Sequence, residues 1–174
     1  MSRELIEIKD FNLNIFQEWN PGWFLLAAGD FSTGQYNAMT VSWGSMGIMW
    51  GKPFVQVVVR PTRYTYQFME QSPTFTLCAF SKKYVGALNL LGMKSGRQGD
   101  KISESKLTPV ASTRVAAPSF AEADLAIECQ KMYYDDLEPT HFLAAHIAPH
   151  YNGDFHRVYY GEIAAIWGVE RYRR

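Results

Sequence analysis

Short runs of β-branched, aromatic and aliphatic residues, separated by Gly, Pro, Asn and Ser, limit the folds open to this chain more than any other feature. Such short runs with turn residues between them are typical of strands in an antiparallel barrel. The sequence therefore predicts a mainly β fold whose strands cover residues 23–28, 36–43, 54–60, 75–80, 123–134, 141–150 and 157–167.

Helical periodicity interrupts the strand pattern at two places. Residues 64–71 follow a pair of arginines, and residues 82–92 place Tyr84, Val85, Leu88 and Leu91 on one helix face. Both helices are predicted to lie at the periphery of the barrel. Residues 5–19 predict a strand and a short helical turn, and the polar stretch 94–117 predicts a long functional loop.

Composition favours one domain over residues 1–174. A chain of 174 residues with 47% hydrophobic and 15% aromatic content is long enough to bury a full core. Its 17 basic and 17 acidic residues balance, so no broad field attracts it to nucleic acid or to an anionic membrane.

Targeting signals and cysteine usage favour a reducing, cytoplasmic location. The first residues lack the basic and apolar pattern of a secretory leader, and no segment has the length and hydropathy of a membrane span. Cys78 and Cys129 lie far apart in apolar runs and form no C-x-x-C pair, so they are expected in the core.

Two segments combine residues suited to a phosphate and a flat ring. The first is Asn37-Ala38-Met39-Thr40-Val41-Ser42-Trp43-Gly44, a strand of small and hydroxyl side chains whose backbone can approach a ring edge. The second is Arg60-Pro61-Thr62-Arg63-Tyr64-Thr65, where two guanidiniums and two hydroxyls meet the start of a helix. Flavin mononucleotide (FMN) presents a phosphate, a hydroxylated chain and a ring. Arginines at a strand end also commonly lie in solvent or pair with carboxylates, so the residue types alone leave both interpretations open.

These two segments, together with His156 before the last strand, resemble the flavin reductase-like family, including the flavoredoxins. The resemblance covers roughly residues 21–167. It implies an antiparallel split β-barrel of Greek-key type that binds FMN non-covalently near a homodimer interface. It also implies hydride transfer from NADH or NADPH to flavin, with fold and cofactor transferring more safely than substrate.

The resemblance assigns candidate residues by position. His156 is the candidate catalytic residue, since its imidazole can orient the carboxamide of the donor or supply a proton; a strand-edge histidine bonded to backbone is the alternative. The bulky residues Trp43, Met46, Met49 and Trp50 predict an altered or partly filled substrate pocket, as in the flavoredoxin-like branch. The candidate cofactor-binding residues are Asn37, Met39, Thr40, Val41, Ser42, Trp43, Arg60, Thr62, Arg63, Tyr64, Thr65, Lys94, Ser95, Gly96, Arg97 and Lys101.

Other types of site are disfavoured. The glycines lack the G-x-G-x-x-G spacing of a dinucleotide-binding turn, so a nicotinamide would have to stack on the flavin. Pro149 interrupts any helical face joining His146 to His150, so no metal site is expected. Asp135 and Asp136 are expected in a turn, and as neighbours they would point to opposite faces of a strand.

Three functions remain open from the sequence. The first is an FMN-dependent oxidoreductase that accepts hydride from a reduced nicotinamide. The second is a flavoredoxin-like FMN electron carrier without a nicotinamide site. The third is a dimeric scaffold that has lost flavin.

Overall fold

The computed structural model describes residues 2–174. Its helices are α1 (Ile15–Gln17), α2 (Tyr64–Gln71), α3 (Val85–Met93) and α4 (Lys101–Ser105). Its strands are β1 (Glu4–Leu5), β2 (Phe24–Asp30), β3 (Gln35–Val41), β4 (Gly44–Met49), β5 (Lys52–Val59), β6 (Thr74–Ala79), β7 (Pro109–Val110), β8 (Ser119–Phe120), β9 (Leu125–Asp136) and β10 (Arg157–Gly168).

The main sheet is antiparallel and has eight strands in the order β3-β2-β6-β9-β10-β5-β4, with β1 paired to β10. The two twelve-residue strands β9 and β10 lie at its centre, and their pairing shifts register at Tyr160/Gly161 and Ile163/Ala165. Such irregularities increase the local twist that curls a sheet toward a barrel. The predicted mainly β, antiparallel fold is confirmed.

Hydrophobic side chains cover both faces of the central strands. Phe24, Leu26 and Ala28 of β2 enter one cluster with the inner residues of β5, β6 and β9, while Leu25 and Ala27 enter a second cluster beneath α3 and α4. A strand buried on both faces reads as a continuous apolar run, which is how residues 23–28 appear in the sequence. Cys78 and Cys129 are free and fully buried, so the predicted core location of both is confirmed.

The helices lie outside the barrel and collect beside β3. Helix α2 follows β5 and packs on β2 and β3, α3 packs on β3, and α4 packs on α3. Both predicted helices are therefore confirmed, the first with its exact bounds and the second as a 3₁₀ turn (Lys82–Tyr84) that continues into α3. Because β3 is an edge strand, its free edge is open to residues that these helices carry.

The strand predicted for residues 141–150 is wrong. The segment forms two 3₁₀ turns, Pro139–His141 and Ala148–His150, and a proline stands at the start of each. Proline has no N–H for a strand ladder and fixes φ near the helical value, so these two residues favour turns over a strand.

The extent predicted for the loop 94–117 is wrong in part, because residues 94–105 contain a 3₁₀ turn (Gly96–Gln98) and α4. Ser95 and Asp100 start these elements, since each side chain accepts a hydrogen bond from a backbone N–H in the first turn. The turn predicted at Asp135 and Asp136 is also wrong, because both belong to β9. Their separation is confirmed, as Asp136 pairs with Arg157 and Asp135 accepts from Tyr133.

Strand β4 was not predicted. It forms a hairpin with β5 whose turn residues Trp50 and Gly51 have φ values of 51° and 73°. Two successive residues with positive φ are typical of a tight hairpin turn. Gly44 and Gly47 obscured the strand pattern, and Gly44 is required because a Cβ there would lie 2.3 Å from the Trp19 ring.

Candidate functional site

Three clefts follow the free edge of β3 and share lining residues. The helix-side cleft has a volume of about 80 Å³ and is lined by Met39, Thr62, Arg63, Tyr64, Thr65, Met93, Lys94, Ser95 and Lys101. The histidine-side cleft, about 180 Å³, is lined by Met39, Thr40, Val41, Ser42, Trp43, Val58, Arg60 and His156. A third cleft of about 260 Å³ includes Asn37, Tyr64, Gly96 and Lys101.

The three clefts bring together the residues proposed from the sequence. Every candidate cofactor-binding residue except Arg97 lines at least one of them. Arg97 lies at the rim, where its Nη1 donates to the carbonyl of Thr62 at 3.3 Å and its guanidinium stands 5.0 Å from the Tyr64 ring centroid.

Local packing holds the helix-side cleft in shape. Asn37 on β3 donates to Thr65 in the first turn of α2, which sets the height of the helix relative to the strand. Gly96 passes so close that a Cβ would lie 2.4 Å from Cδ1 of Tyr64 and 2.8 Å from Oδ1 of Asn37. Only glycine permits this approach, so the 94–101 segment closes over the helix start.

The helix-side cleft contains cationic groups with no carboxylate partner in the described chain. Arg63 is half-buried and donates from Nη2 to the carbonyl of Gly92, and Lys101 is 3% exposed and donates from Nζ to the carbonyl of Leu91 at 2.8 Å. Burial, and then the neighbouring charge, lowers the pKa of both, with Lys101 at about 8. Within residues 2–174 neither forms a salt bridge.

The start of α2 adds to this positive potential. No side chain caps the helix and no acidic residue occupies its first turn. Its first N–H groups lack intrahelical acceptors and carry the positive end of the helix dipole. The cleft thus combines a guanidinium, an ammonium, hydroxyls and backbone donors, which is a donor set for a phosphate.

Arg60 lines the histidine-side cleft and not the helix-side cleft. Its Nη1 lies 2.9 Å from both carboxylate oxygens of Asp154, and its Nη2 donates to the carbonyl of His150 at 2.8 Å. The sequence placed Arg60 and Arg63 together on one phosphate, whereas the structure directs their guanidiniums into different clefts. The reason is that Asp154, from a loop far along the chain, already neutralises Arg60.

His156 lies against aromatic side chains in the histidine-side cleft. Its Nδ1 is 2.9 Å from the hydroxyl of Tyr151, and its ring centroid is 5.2 Å from that of Trp43. The side chain is 8% exposed, and burial, followed by the Arg60 charge, lowers its pKa to about 4. The imidazole is therefore neutral at pH 7, and its partner is a side chain rather than backbone.

Of the four bulky residues in 43–50, which are Trp43, Met46, Met49 and Trp50, only Trp43 lines the histidine-side cleft. Met46 packs against the core, and Trp50 lies 5.9 Å from the Tyr133 ring and 6.3 Å from the Tyr160 ring. Met46, Met49 and Trp50 do not line the histidine-side cleft, because they lie on the β4–β5 hairpin, and their effect on a substrate pocket stays a prediction.

Sequence reasoning missed Tyr151 and Asp154. Both lie between the segment 141–150, which was predicted as a strand, and His156. Tyr151 contacts the nearby His156, and Asp154 pairs with Arg60, 94 positions away. An Asn-Gly turn at residues 152–153 between two aromatic residues is the signal that marks a loop there.

The described chain contains no group of three or more His, Cys, Asp or Glu side chains arranged to hold a metal ion. Likewise, no helix within residues 2–174 is both long and apolar enough to cross a membrane.

A family comparison agrees with this geometry. The family model described as "Flavin reductase like domain" matches residues 21–173. The chain belongs to the flavin reductase-like family. The matched range contains β3, the Arg60–Thr65 segment, the 94–101 segment and His156, so every element of the three clefts falls within the domain.

Individual proteins share only a modest part of their sequence with this flavin reductase-like chain. An uncharacterized protein of Aeropyrum pernix is 30% identical over 141 residues, which cover 80% of this chain and 47% of that protein. The chain thus spans about half the length of this curated relative. The choice of candidate site residues therefore rests on the sequence of this chain more than on this match.

Solved structures establish the split barrel. The flavoredoxin of Desulfovibrio vulgaris (Miyazaki F) is 25% identical, with a TM-score of 0.66 over 86% of this chain and 70% of that one. The flavoredoxin of Methanosarcina acetivorans is 22% identical, with a TM-score of 0.66 over 96% of this chain and 73% of that one. The predicted split β-barrel and the predicted family are both confirmed.

Proposed function

We propose that this flavin reductase-like protein binds FMN non-covalently and transfers hydride from NADH or NADPH through it to an acceptor. Residues 1–174 form its single flavin-binding domain, and it works as a cytoplasmic homodimer. Membership in the family supports a flavin-related redox role. The choice of FMN, the reductant and the assembly are inferences from the residues of the clefts and from the family resemblance.

The observation that carries the proposal is the pair of unneutralised cations in the helix-side cleft. Buried charges in proteins are normally paired, because an isolated one loses its hydration without compensation. Within residues 2–174 the hydrogen-bond partners of the Arg63 and Lys101 side chains are backbone carbonyls, and both groups lie near the uncapped N-terminus of α2. A terminal phosphate dianion would compensate both groups, and the hydroxyls of Thr62 and Ser95 line the same cleft.

The position of this cleft relative to β3 supports a flavin over a simple phosphate ester. Met39 lines both the helix-side and the histidine-side clefts, so a ligand held by its phosphate can extend along residues 39–43. The Thr40 hydroxyl donates to the carbonyl of Leu88, which leaves the strand backbone and Ser42 for the ring edge. We place the ring in the histidine-side cleft between Trp43 and Val58.

Bound FMN would supply the hydride-accepting ring, and the protein would supply its orientation and surroundings. Arg63, Lys101 and the start of α2 would hold the phosphate. Strand β3 would fix the height of the ring, and Trp43 would limit access of water. His156, neutral at pH 7, would orient the carboxamide of the donor through a hydrogen bond.

The first experiment records the absorbance spectrum of the purified protein and titrates it with FMN. We expect flavin bands or submicromolar binding, followed by bleaching when NADH or NADPH is added without oxygen. His156→Ala should retain FMN and slow the bleaching, while Lys52→Ala, on an exposed ion pair away from the clefts, should match the wild type. Failure to bind FMN at millimolar ligand would rule out the proposal.

A second candidate function is a flavoredoxin-like electron carrier that holds FMN but has no nicotinamide site. The 25% identity with the Desulfovibrio flavoredoxin favours it, as does the packing of Trp43 edge-to-face against His150 and at a tilt against His156. Aromatic rings at the cleft mouth would leave little room for a second stacked ring. If chemically reduced protein passes electrons to a protein acceptor while neither NADH nor NADPH bleaches the flavin, this second function replaces the first.

A further inference from the structure

Tyr151 is held rigidly against His156. Its ring stacks on Phe142 with centroids 5.6 Å apart and packs against Phe155 at 5.1 Å. The Arg60 guanidinium also lies over the ring, 5.1 Å from its centroid. These neighbours fix the phenol oxygen 2.9 Å from Nδ1 of His156. A side chain packed by two rings and a guanidinium loses little further freedom when it makes this hydrogen bond.

The chemistry of the two groups decides which of them donates. A phenol O–H is a stronger acid than the N–H of neutral imidazole, and an imidazole nitrogen is a better acceptor than a phenol oxygen. In the described chain the Tyr151 hydroxyl has no other hydrogen-bond partner. The phenol therefore donates to Nδ1, and the single ring proton of neutral His156 resides on Nε2.

The Nε2 atom of His156 is available for a hydrogen bond from the histidine-side cleft. Within residues 2–174 it makes no hydrogen bond, and it is not among the fully buried polar atoms that lack a partner. His156 lines this cleft with Trp43 and Arg60. The histidine-side cleft thus has an N–H donor from His156 beside the Trp43 indole.

The nearby charges do not favour a protonated imidazole. Asp154 is the carboxylate close to His156, and Arg60 already binds both of its oxygens. Arg60 and Arg63 add positive potential at the ring. No neighbouring group in the described chain therefore stabilises an imidazolium by a direct hydrogen bond.

We infer that Tyr151 is a positioning residue that fixes His156 as the Nε2–H tautomer, so that His156 presents a neutral N–H donor to a carbonyl oxygen carried by a flat nitrogen heterocycle. His156 does not act as a proton donor in the imidazolium form or as a general base. This inference rests on the proposed function for the identity of the reaction, but the tautomer itself depends only on Tyr151 and His156. An amide-bearing ring, such as that of a reduced nicotinamide, has the acceptor that the geometry requires.

The tautomer can be measured without flavin. We would label the full-length protein with ¹⁵N-histidine and record two-bond ¹H–¹⁵N correlations at pH 7, assigning His156 from its loss in His156→Gln. We expect a protonated Nε2 and an unprotonated Nδ1. In Tyr151→Phe we expect a mixture of both tautomers. An Nδ1–H tautomer in the wild type, or an unchanged pattern in Tyr151→Phe, would overturn the inference.

Kinetics then test the consequence for the reaction. Glutamine places an N–H near the position of Nε2, and asparagine places one near Nδ1. The bound flavin should therefore be reduced faster in His156→Gln than in His156→Asn. Tyr151→Phe should slow reduction about 3- to 10-fold, the value of one hydrogen bond, with FMN affinity unchanged. Tyr84→Phe, whose ring packs on Phe80, is the matched control.

The two experiments separate two failures. If neither nicotinamide reduces the flavin in any variant while the spectra show the Nε2–H tautomer, the proposed reductase function is wrong and the Tyr151 assignment stands. If reduction is normal but His156→Asn matches or exceeds His156→Gln, the direction assigned to the hydrogen bond is wrong.

Discussion

Asn37 and Thr65 join the edge strand β3 to helix α2, whose first turn lines the helix-side cleft. Nδ2 of Asn37 donates to Oγ1 of Thr65 at 2.8 Å, and the two side chains are 4% and 1% exposed. Because both are buried, water cannot replace either partner. The bond therefore connects the fold to the site, since it fixes where the first turn of α2 meets β3.

The first prediction concerns the cost of breaking this bond. Thr65→Val keeps the shape of the side chain but leaves the Asn37 amide unsatisfied, so we expect a loss of about 1 to 3 kcal/mol of unfolding free energy. Urea denaturation of Thr65→Val, Asn37→Ala and the double variant measures the coupling. Thr108→Val, at an exposed position, is the control. Strictly additive effects of the two changes would show that the bond contributes nothing.

The strands and helix α2 could be predicted because their signals are local. Residues 23–28 and 75–80 are apolar on both faces, and α2 starts directly after Pro61 and Arg63. The hairpin strand β4 was not predicted because its glycines weaken the strand period, and the 141–150 segment was predicted as a strand although the prolines of its turns disfavour one. What decides them is pairing with β5 and the contacts of the loop with Arg60, which are made by residues distant in sequence.

The sequence predicted which segments form the candidate site, but it did not predict which side chains contact each other within it. The 37–43 and 60–65 segments do meet at common clefts, as their residue types suggested. The division of labour between Arg60 and Arg63 depends on Asp154, about 90 residues away, and no local pattern reveals that salt bridge. Tyr151 was missed for the same reason, because its role follows from tertiary packing.

The second prediction tests the division of labour between the arginines. Arg63→Ala should cost about 1.5 to 3 kcal/mol of FMN affinity if its guanidinium bonds the phosphate. Arg60→Ala should weaken FMN binding less, because Asp154 already occupies its guanidinium. Isothermal titration of both variants and of Lys52→Ala provides the comparison. Equal losses in the two arginine variants would contradict the separate roles.

The third prediction is a pH dependence of FMN affinity from Lys101. Burial lowers its pKa to about 8, so in the flavin-free protein it is charged below pH 8 and becomes neutral above it. Binding a dianion favours the charged form of Lys101, and the phosphate, whose second pKa is about 6, is mostly dianionic only above about pH 7. Affinity should therefore be highest between about pH 7 and pH 8 and fall above that range. Fluorescence titrations from pH 6 to pH 10 measure it.

Lys101→Met supplies the control for this dependence. The variant should bind FMN more weakly at pH 7 and lose the decline between pH 8 and pH 9. Lys94→Met tests the neighbouring lysine, which pairs with Glu104 and should leave the decline in place. A decline that persists unchanged in Lys101→Met would assign it to another group.

The fourth prediction is that His156 makes folding stability depend on pH. Its pKa is about 4 in the folded protein and 6.5 in the unfolded chain, so the unfolded state binds more protons between these values. Stability from this group is fully present above pH 6.5 and is lost as pH falls. From pH 7.5 to pH 5 the wild type should lose about 2 kcal/mol more than His156→Gln. The groups around the ring are the same in both proteins: Arg60, Arg63, Asp154 and the Tyr151 phenol. Hydrogen bonds from Arg60 lower the pKa of Asp154, so the titration of Asp154 lies below this pH window. Urea unfolding at the two pH values gives the difference directly, and a gap between the two proteins that does not change with pH would show that His156 is not buried in its neutral form.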